Sequence, residues 1–191
     1  MPRRSVDHAA AARAIRDFLS ALGLDPSAGE LAGTGDRVAR AFGDELTRGY
    51  DVDPAAALRA EVIELAAPSA PGSIVALRGA PVTTTCPHHL MVAQGHATVL
   101  FEPDRRIVGV GAVAAVVDAF ARRLTLQETV GEEAASCLFE ALRPRWVACR
   151  LHLSHACLTA RGERAHGATL DTLAVRGSPP PDVARLAGVG S

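Results

Sequence analysis

Two helical stretches follow one another with no strand between them, and this order constrains the fold more than any other feature of the 191-residue chain. Ala112 to Leu124 is strongly apolar and reads as one helix. Thr129 and Glu132 then form a capping-box pattern that opens a second helix, ending near Arg143-Pro144. Strand-like runs lie on both sides. Ser73 to Leu77 and the alternating Gly95 to Phe101 come before, and Glu102-Pro103-Asp104 turns the chain into Ile107-Val108. Trp146 to Cys157 and Gly167 to Val175 come after. This order predicts an α+β fold in which an antiparallel sheet carries both helices on one face.

The first 70 residues read as a helical arm ahead of that unit. His8 to Leu22 places Ala, Ile, Phe and Leu at helical spacing, with Gly23 as a stop. A second helix is expected from about Asp36 to Arg48, with Val38, Ala41, Phe42 and Leu46 on one face. Asp53-Pro54 and Ala67 to Gly72 mark loops. Pro81 to His89 is polar and shows no clear period, and Ser178 to Ser191, with three prolines in a row, is expected to be a loose tail. The expected organisation is therefore an arm (1–70), a catalytic domain (71–177) and a tail (178–191).

Charge narrows the partners. The net charge is -1, which gives no overall field for nucleic acid or an anionic membrane. Every basic residue is arginine, so a Walker loop, which requires lysine, is excluded. No apolar leader segment follows the N-terminus, and the longest aliphatic run, Ile107 to Val117, is too short to span a bilayer. A cytoplasmic protein is expected, and four cysteines in such a chain argue for metal or catalysis before disulfides.

Cys86-Pro87-His88-His89 packs a thiol and two imidazoles into four positions. A Cys-x-x-His turn can aim two ligands at one ion, and a third must come from elsewhere. Strict alternation along Trp146 to Cys157 would put His155 and Cys157 on one face, which makes Cys157 the best donor. Cys86, His89 and Cys157 leave a fourth position open to water, the arrangement of catalytic zinc. A purely structural ion, with His155 as fourth ligand, is the alternative reading. Cys137 and Cys149, mid-helix and mid-strand, read as small core hydrophobes.

Cys-x-His-His, Gly95-x-Ala-x-Val, Phe120-Ala-Arg-Arg-Leu with Gln127-Glu128, His155-x-Cys157-x-x-x-Arg161-Gly162 and, in the arm, Arg37-Val38-Ala39-Arg40 occur in an order that resembles the GTP cyclohydrolase I family. The resemblance runs from about residue 10 to Gly177. It implies a tunnelling fold, a homodecamer of two stacked pentamers, and active sites between subunits. It implies zinc on Cys86, His89 and Cys157, with His88 and His155 as the acid–base pair. The implied reaction opens the guanine imidazole ring of GTP by hydrolysis, releases formate and gives 7,8-dihydroneopterin triphosphate, in pterin and tetrahydrofolate biosynthesis. Glu128 would bind the guanine N1 and 2-amino edge, Gln127 would assist it, and Arg161 and Arg37 would face the triphosphate.

The sequence departs from the family pattern at the phosphate end. Gly111, Ala112 and Ala115 stand where serine, lysine and arginine are usual, Pro87 replaces the usual glutamate and Thr129 the usual arginine. Arg122, Arg123 and Arg164 are the available substitutes. Each charge-assisted phosphate contact contributes roughly 1.5–3 kcal/mol, so a guanine compound with fewer phosphates is an alternative substrate. A non-catalytic zinc-binding paralogue is a further alternative. Gly109 to Ala114 also fits a GxGxxA dinucleotide fingerprint, although no second parallel strand follows the helix.

Overall fold

A computed structural model describes residues 4–189; residues 1–3 and 190–191, the outer ends of the expected arm and tail, lie outside the described residues. The arm holds α1 (His8–Ala21), α2 (Thr34–Arg40) and α3 (Pro54–Ala60). Then follow β1 (Ile63–Glu64), β2 (Val75–Thr85), β3 (Val92–Glu102), β4 (Arg106–Ile107), α4 (Val110–Ala121) and α5 (Gln127–Leu142). The chain ends with β5 (Trp146–His155), α6 (Ala156–Thr159), β6 (Leu170–Gly177) and α7 (Val183–Ala187).

Alternation along the strands builds the core. Val147, Cys149, Leu151 and Leu153 of β5 are fully buried, and Ala97, Val99 and Phe101 of β3 lie on the same face. Against that face pack Val113, Val116 and Val117 of α4 and Val130, Ala134 and Leu138 of α5. The main sheet has the order β2-β3-β5-β6, antiparallel throughout, and β1 pairs with β4 in a short separate ribbon. The expected α+β fold, with consecutive helices on one face of an antiparallel sheet, is the fold found. Among the described residues no helix is long and apolar enough to cross a membrane.

Several local expectations are corrected. Pro81 to Thr85 continues β2, with Val82 and Thr84 buried against the helices. Threonines made the segment look polar, but their β-branched side chains suit a strand. The arm's second helix stops at Arg40, passing into a π-helical turn (Ala41–Leu46) and a 3-10 turn (Arg48–Asp51). Asp53-Pro54 opens α3, the Asp53 side chain capping the Ala56 N–H at 3.0 Å. Helix α5 begins at Gln127, two residues before the capping-box threonine. Backbone pairing sets that start: Thr125 N–H donates to the Thr85 carbonyl at 3.2 Å. Strand β5 ends at His155, so Cys157 sits on α6 rather than on the strand.

The expected loose tail carries α7, which covers the opposite face of the sheet. Ala187 is fully buried with Leu100, Trp146 and Ala148, and the Arg78 guanidinium donates to the Leu186 carbonyl at 2.8 Å. Truncation after Pro180 should uncover Trp146, the only tryptophan. We expect a red-shifted Trp146 emission and a lower Tm, by roughly 2–4 °C for each kcal/mol lost. Unchanged fluorescence would show that α7 does not pack there in solution.

Candidate active site

The turn between β2 and β3 is closed by two backbone hydrogen bonds. Cys86 N–H donates to the Met91 carbonyl and Leu90 N–H to the Cys86 carbonyl, both at 2.9 Å. Leu90 adopts φ 53°, a left-handed conformation that is costly for a leucine and lets so short a turn close. Cys86 is half-buried, while His88 and His89 are exposed with their rings edge to face, 6.3 Å between centroids. Strand register supplies the other half of the site. Ala93, near the start of β3, lies opposite His155, the last residue of β5, and the chain then turns into α6. The structure thereby brings Cys86, His89 and Cys157 together, with their ligand atoms all within 4.8 Å of one another.

The donor set suits a divalent ion. Burial and the neighbouring Cys86 both push the Cys157 thiol above its ordinary pKa, with Arg161 acting weakly in the other direction. Two thiols held side by side repel once ionised, and a cation between them removes that penalty. Two sulfurs and one imidazole, with a fourth corner open, match a catalytic zinc set better than a closed structural one. His155 is not part of this cluster of donor atoms.

His155 is instead held by Gln127. The Gln127 side chain is almost fully buried, and its amide nitrogen donates to the carbonyls of Leu151 and Leu170 at 3.0 Å and to Thr172 Oγ1 at 3.1 Å. That orients the amide oxygen toward His155, where it accepts a hydrogen bond from Nε2 at 2.7 Å. The bond requires the proton on Nε2, which leaves Nδ1 as the acceptor of the neutral ring. Burial lowers the His155 pKa, and the Glu128 carboxylate partly offsets this. Glu128 is exposed in the first turn of α5 and borders a cleft of about 220 Å³ beside Gly131 and Thr172 of the edge strand β6.

Gln127, expected to assist at the substrate, has its side chain buried and bonded to β5, β6 and His155 within the chain. Its partnership with His155 left no sequence signal, because it depends on how α5 lies across β5 and β6. Arg161 and Arg164 lie exposed on the loop after α6. Arg37 stays in the arm, donating to the Ala32 and Glu30 carbonyls and to Thr34 Oγ1. Arg122 pairs with Asp118 and Arg123 with Glu133. Ala112 and Ala115 line a small apolar cleft with Ala57 and Leu58 of α3. Cys149 is fully buried, its pKa pushed up to about 12, and Cys137 is also buried and raised, as core residues should be. Among the described residues no parallel strand follows α4, which removes the dinucleotide reading.

Comparison with known proteins adds an independent line. The profile of a family described as GTP cyclohydrolase I matches residues 11–186. A GTP cyclohydrolase 1 of Allorhizobium ampelinum is 37% identical over 91% of this chain and 84% of its own length. One of Mycobacterium ulcerans is 36% identical over 96% of this chain and 89% of its own. A solved structure, the apo form of the archaeosine synthase QueF-Like, covers 59% of this chain and 100% of its own at 19% identity, with a TM-score of 0.47.

The cluster makes a direct prediction. Purified protein should bind one zinc per chain, and Cys157→Ala should lose it, as read by elemental analysis after dialysis. Retention of stoichiometric zinc by that variant would remove Cys157 from the ligand set.

Proposed function

Because the chain belongs to the GTP cyclohydrolase I family, we propose that it opens the imidazole ring of GTP by hydrolysis, releasing formate and giving 7,8-dihydroneopterin triphosphate. The observation that carries this reading is the convergence of Cys86, His89 and Cys157 beside an oriented His155. Those three residues would hold zinc, which when bound supplies Lewis-acid chemistry and lowers the pKa of coordinated water toward about 7.

The chain's own groups then divide the work. His155 accepts a proton at Nδ1, since Gln127 occupies its other nitrogen and burial favours the neutral ring. His88, on the exposed side of the metal turn, serves as the second proton carrier. Glu128 accepts two hydrogen bonds, from guanine N1–H and the 2-amino group, a pairing that a carboxylate can make with both oxygens. Gln127 acts through His155 rather than on the substrate. Arg161 faces the phosphates. A homodecamer of two pentamers, with sites between subunits, belongs to this reading and is the route by which Arg37 would meet a triphosphate. The product would enter pterin and tetrahydrofolate biosynthesis in the cytoplasm.

One observation favours a second reading. Ala112 and Ala115 face an apolar cleft against α3, so α4 offers no cation at those positions. The substrate would then be a guanine compound with fewer phosphates. Formate release from GTP, GDP, GMP and guanosine by the zinc-loaded protein separates the two. GTP as the best substrate supports the first reading, and GMP or guanosine the second. Release from none would leave a non-catalytic zinc protein.

Two variants test the assigned roles. His88→Ala should keep its zinc and lose formate release by about 10²–10⁴-fold; loss of zinc instead would make His88 a ligand. Glu128→Ala should raise KM for guanine compounds and leave zinc content intact, and unchanged kinetics would return Glu128 to an ordinary helix-start carboxylate.

A further inference from the structure

The arm is fastened to the site's scaffold at Gly49 and Tyr50. Gly49 N–H donates to the Arg122 carbonyl at 2.9 Å, and Arg123 Nε donates to the Gly49 carbonyl at 3.2 Å. The Tyr50 hydroxyl accepts from Leu124 N–H at 3.3 Å and donates to the Leu124 carbonyl at 3.5 Å. The guanidinium groups of Arg4 and Arg123 lie 5.3 and 5.8 Å from the centroid of the Tyr50 ring. A Cβ on Gly49 would collide with the carbonyl oxygens of Ala119 and Arg122, so this approach is open only to glycine. Two arm residues therefore grip three consecutive residues of the connector between α4 and α5.

That connector touches both halves of the site. On one side Leu124 forms a bridge to Thr85, and Thr125 N–H donates to the Thr85 carbonyl, one residue before Cys86. On the other side Leu126 is the N-cap of α5, and Gln127 and Glu128 follow at once. Leu126 offers no side-chain cap, so the entry into α5 depends on how the connector is held. We propose that Gly49 and Tyr50 are positioning residues, through which the arm fixes the connector and so sets Glu128 and the metal turn relative to each other. The kinetic part of this inference rests on the proposed cyclohydrolase activity; the structural part does not.

Tyr50→Phe in the full chain is the test, since it removes both hydroxyl hydrogen bonds and keeps the ring that the two arginines contact. Amide hydrogen exchange at residues 124–128 should speed up by about fivefold, the factor that one net hydrogen bond contributes. KM for the best guanine substrate should rise by a similar factor, with kcat and zinc content little changed. Val183→Ala, which loosens α7 on the other face of the sheet, is the control. It should lower Tm while leaving exchange at 124–128 and KM as in the wild type. Unchanged exchange in Tyr50→Phe, faster exchange with unaltered kinetics in an active enzyme, or equal effects in Val183→Ala would each overturn the proposal. If the wild type releases no formate from any guanine compound, the activity reading fails, and exchange at 124–128 still decides the clasp.

Discussion

The antiparallel register between β3 and β5 is the constraint on which the site depends. With Ala93 opposite His155, the start of one strand lies beside the end of the other, and the Cys86 turn meets α6. A slip of one residue would reverse every side chain of β5, turning Val147, Cys149, Leu151 and Leu153 out of the core. Burial of that row therefore stabilises the register, and the register places the thiols. The placement of the candidate ligands and core packing are not separate properties here. The hydrophobic term that holds the sheet in phase also determines where two sulfurs and an imidazole converge.

Gln127 extends the same logic from position to chemistry. Its amide nitrogen is committed to β5 and β6, so its oxygen has one direction left, and His155 lies in it. A buried amide with unmet bonds would be costly, which keeps this arrangement rigid. The consequence is a histidine whose tautomer is set by packing. The helix that covers the core thus also decides which imidazole nitrogen is left free to accept a proton.

Much of the fold was legible because it rests on order and period. Two adjacent helices between strand runs left few topologies, and the Cys-x-x-His turn with Cys157 named the cluster that the fold assembles. What was not legible depends on partners distant in sequence. The threonines of β2 look like loop residues until β3 pairs with them. The start of α5 is drawn two residues early by pairing with Thr85, against a good local cap at Thr129. Helix α7 is short and follows three prolines, and its reasons to form, the apolar patch around Trp146 and the Arg78 bond to the Leu186 carbonyl, lie far away in sequence. Tyr50 carries no motif, and nothing in the Gln127-Glu128 pair points to His155. The importance of Tyr50 and Gln127 comes entirely from what the fold sets beside them.

The candidate site and the arm's contact with α4 are built from different materials. At the candidate ligand cluster, turn geometry, register and a buried amide each restrict the same few atoms. At the arm contact, α4 meets α3 through Ala112, Ala115, Ala57 and Leu58, which are small or apolar side chains. Ala119 lines the same cleft one turn further along α4, and there Gly49 of the arm comes against its carbonyl. Small side chains on this face of α4 let the arm reach the helix backbone itself, which is what the Gly49 contact requires.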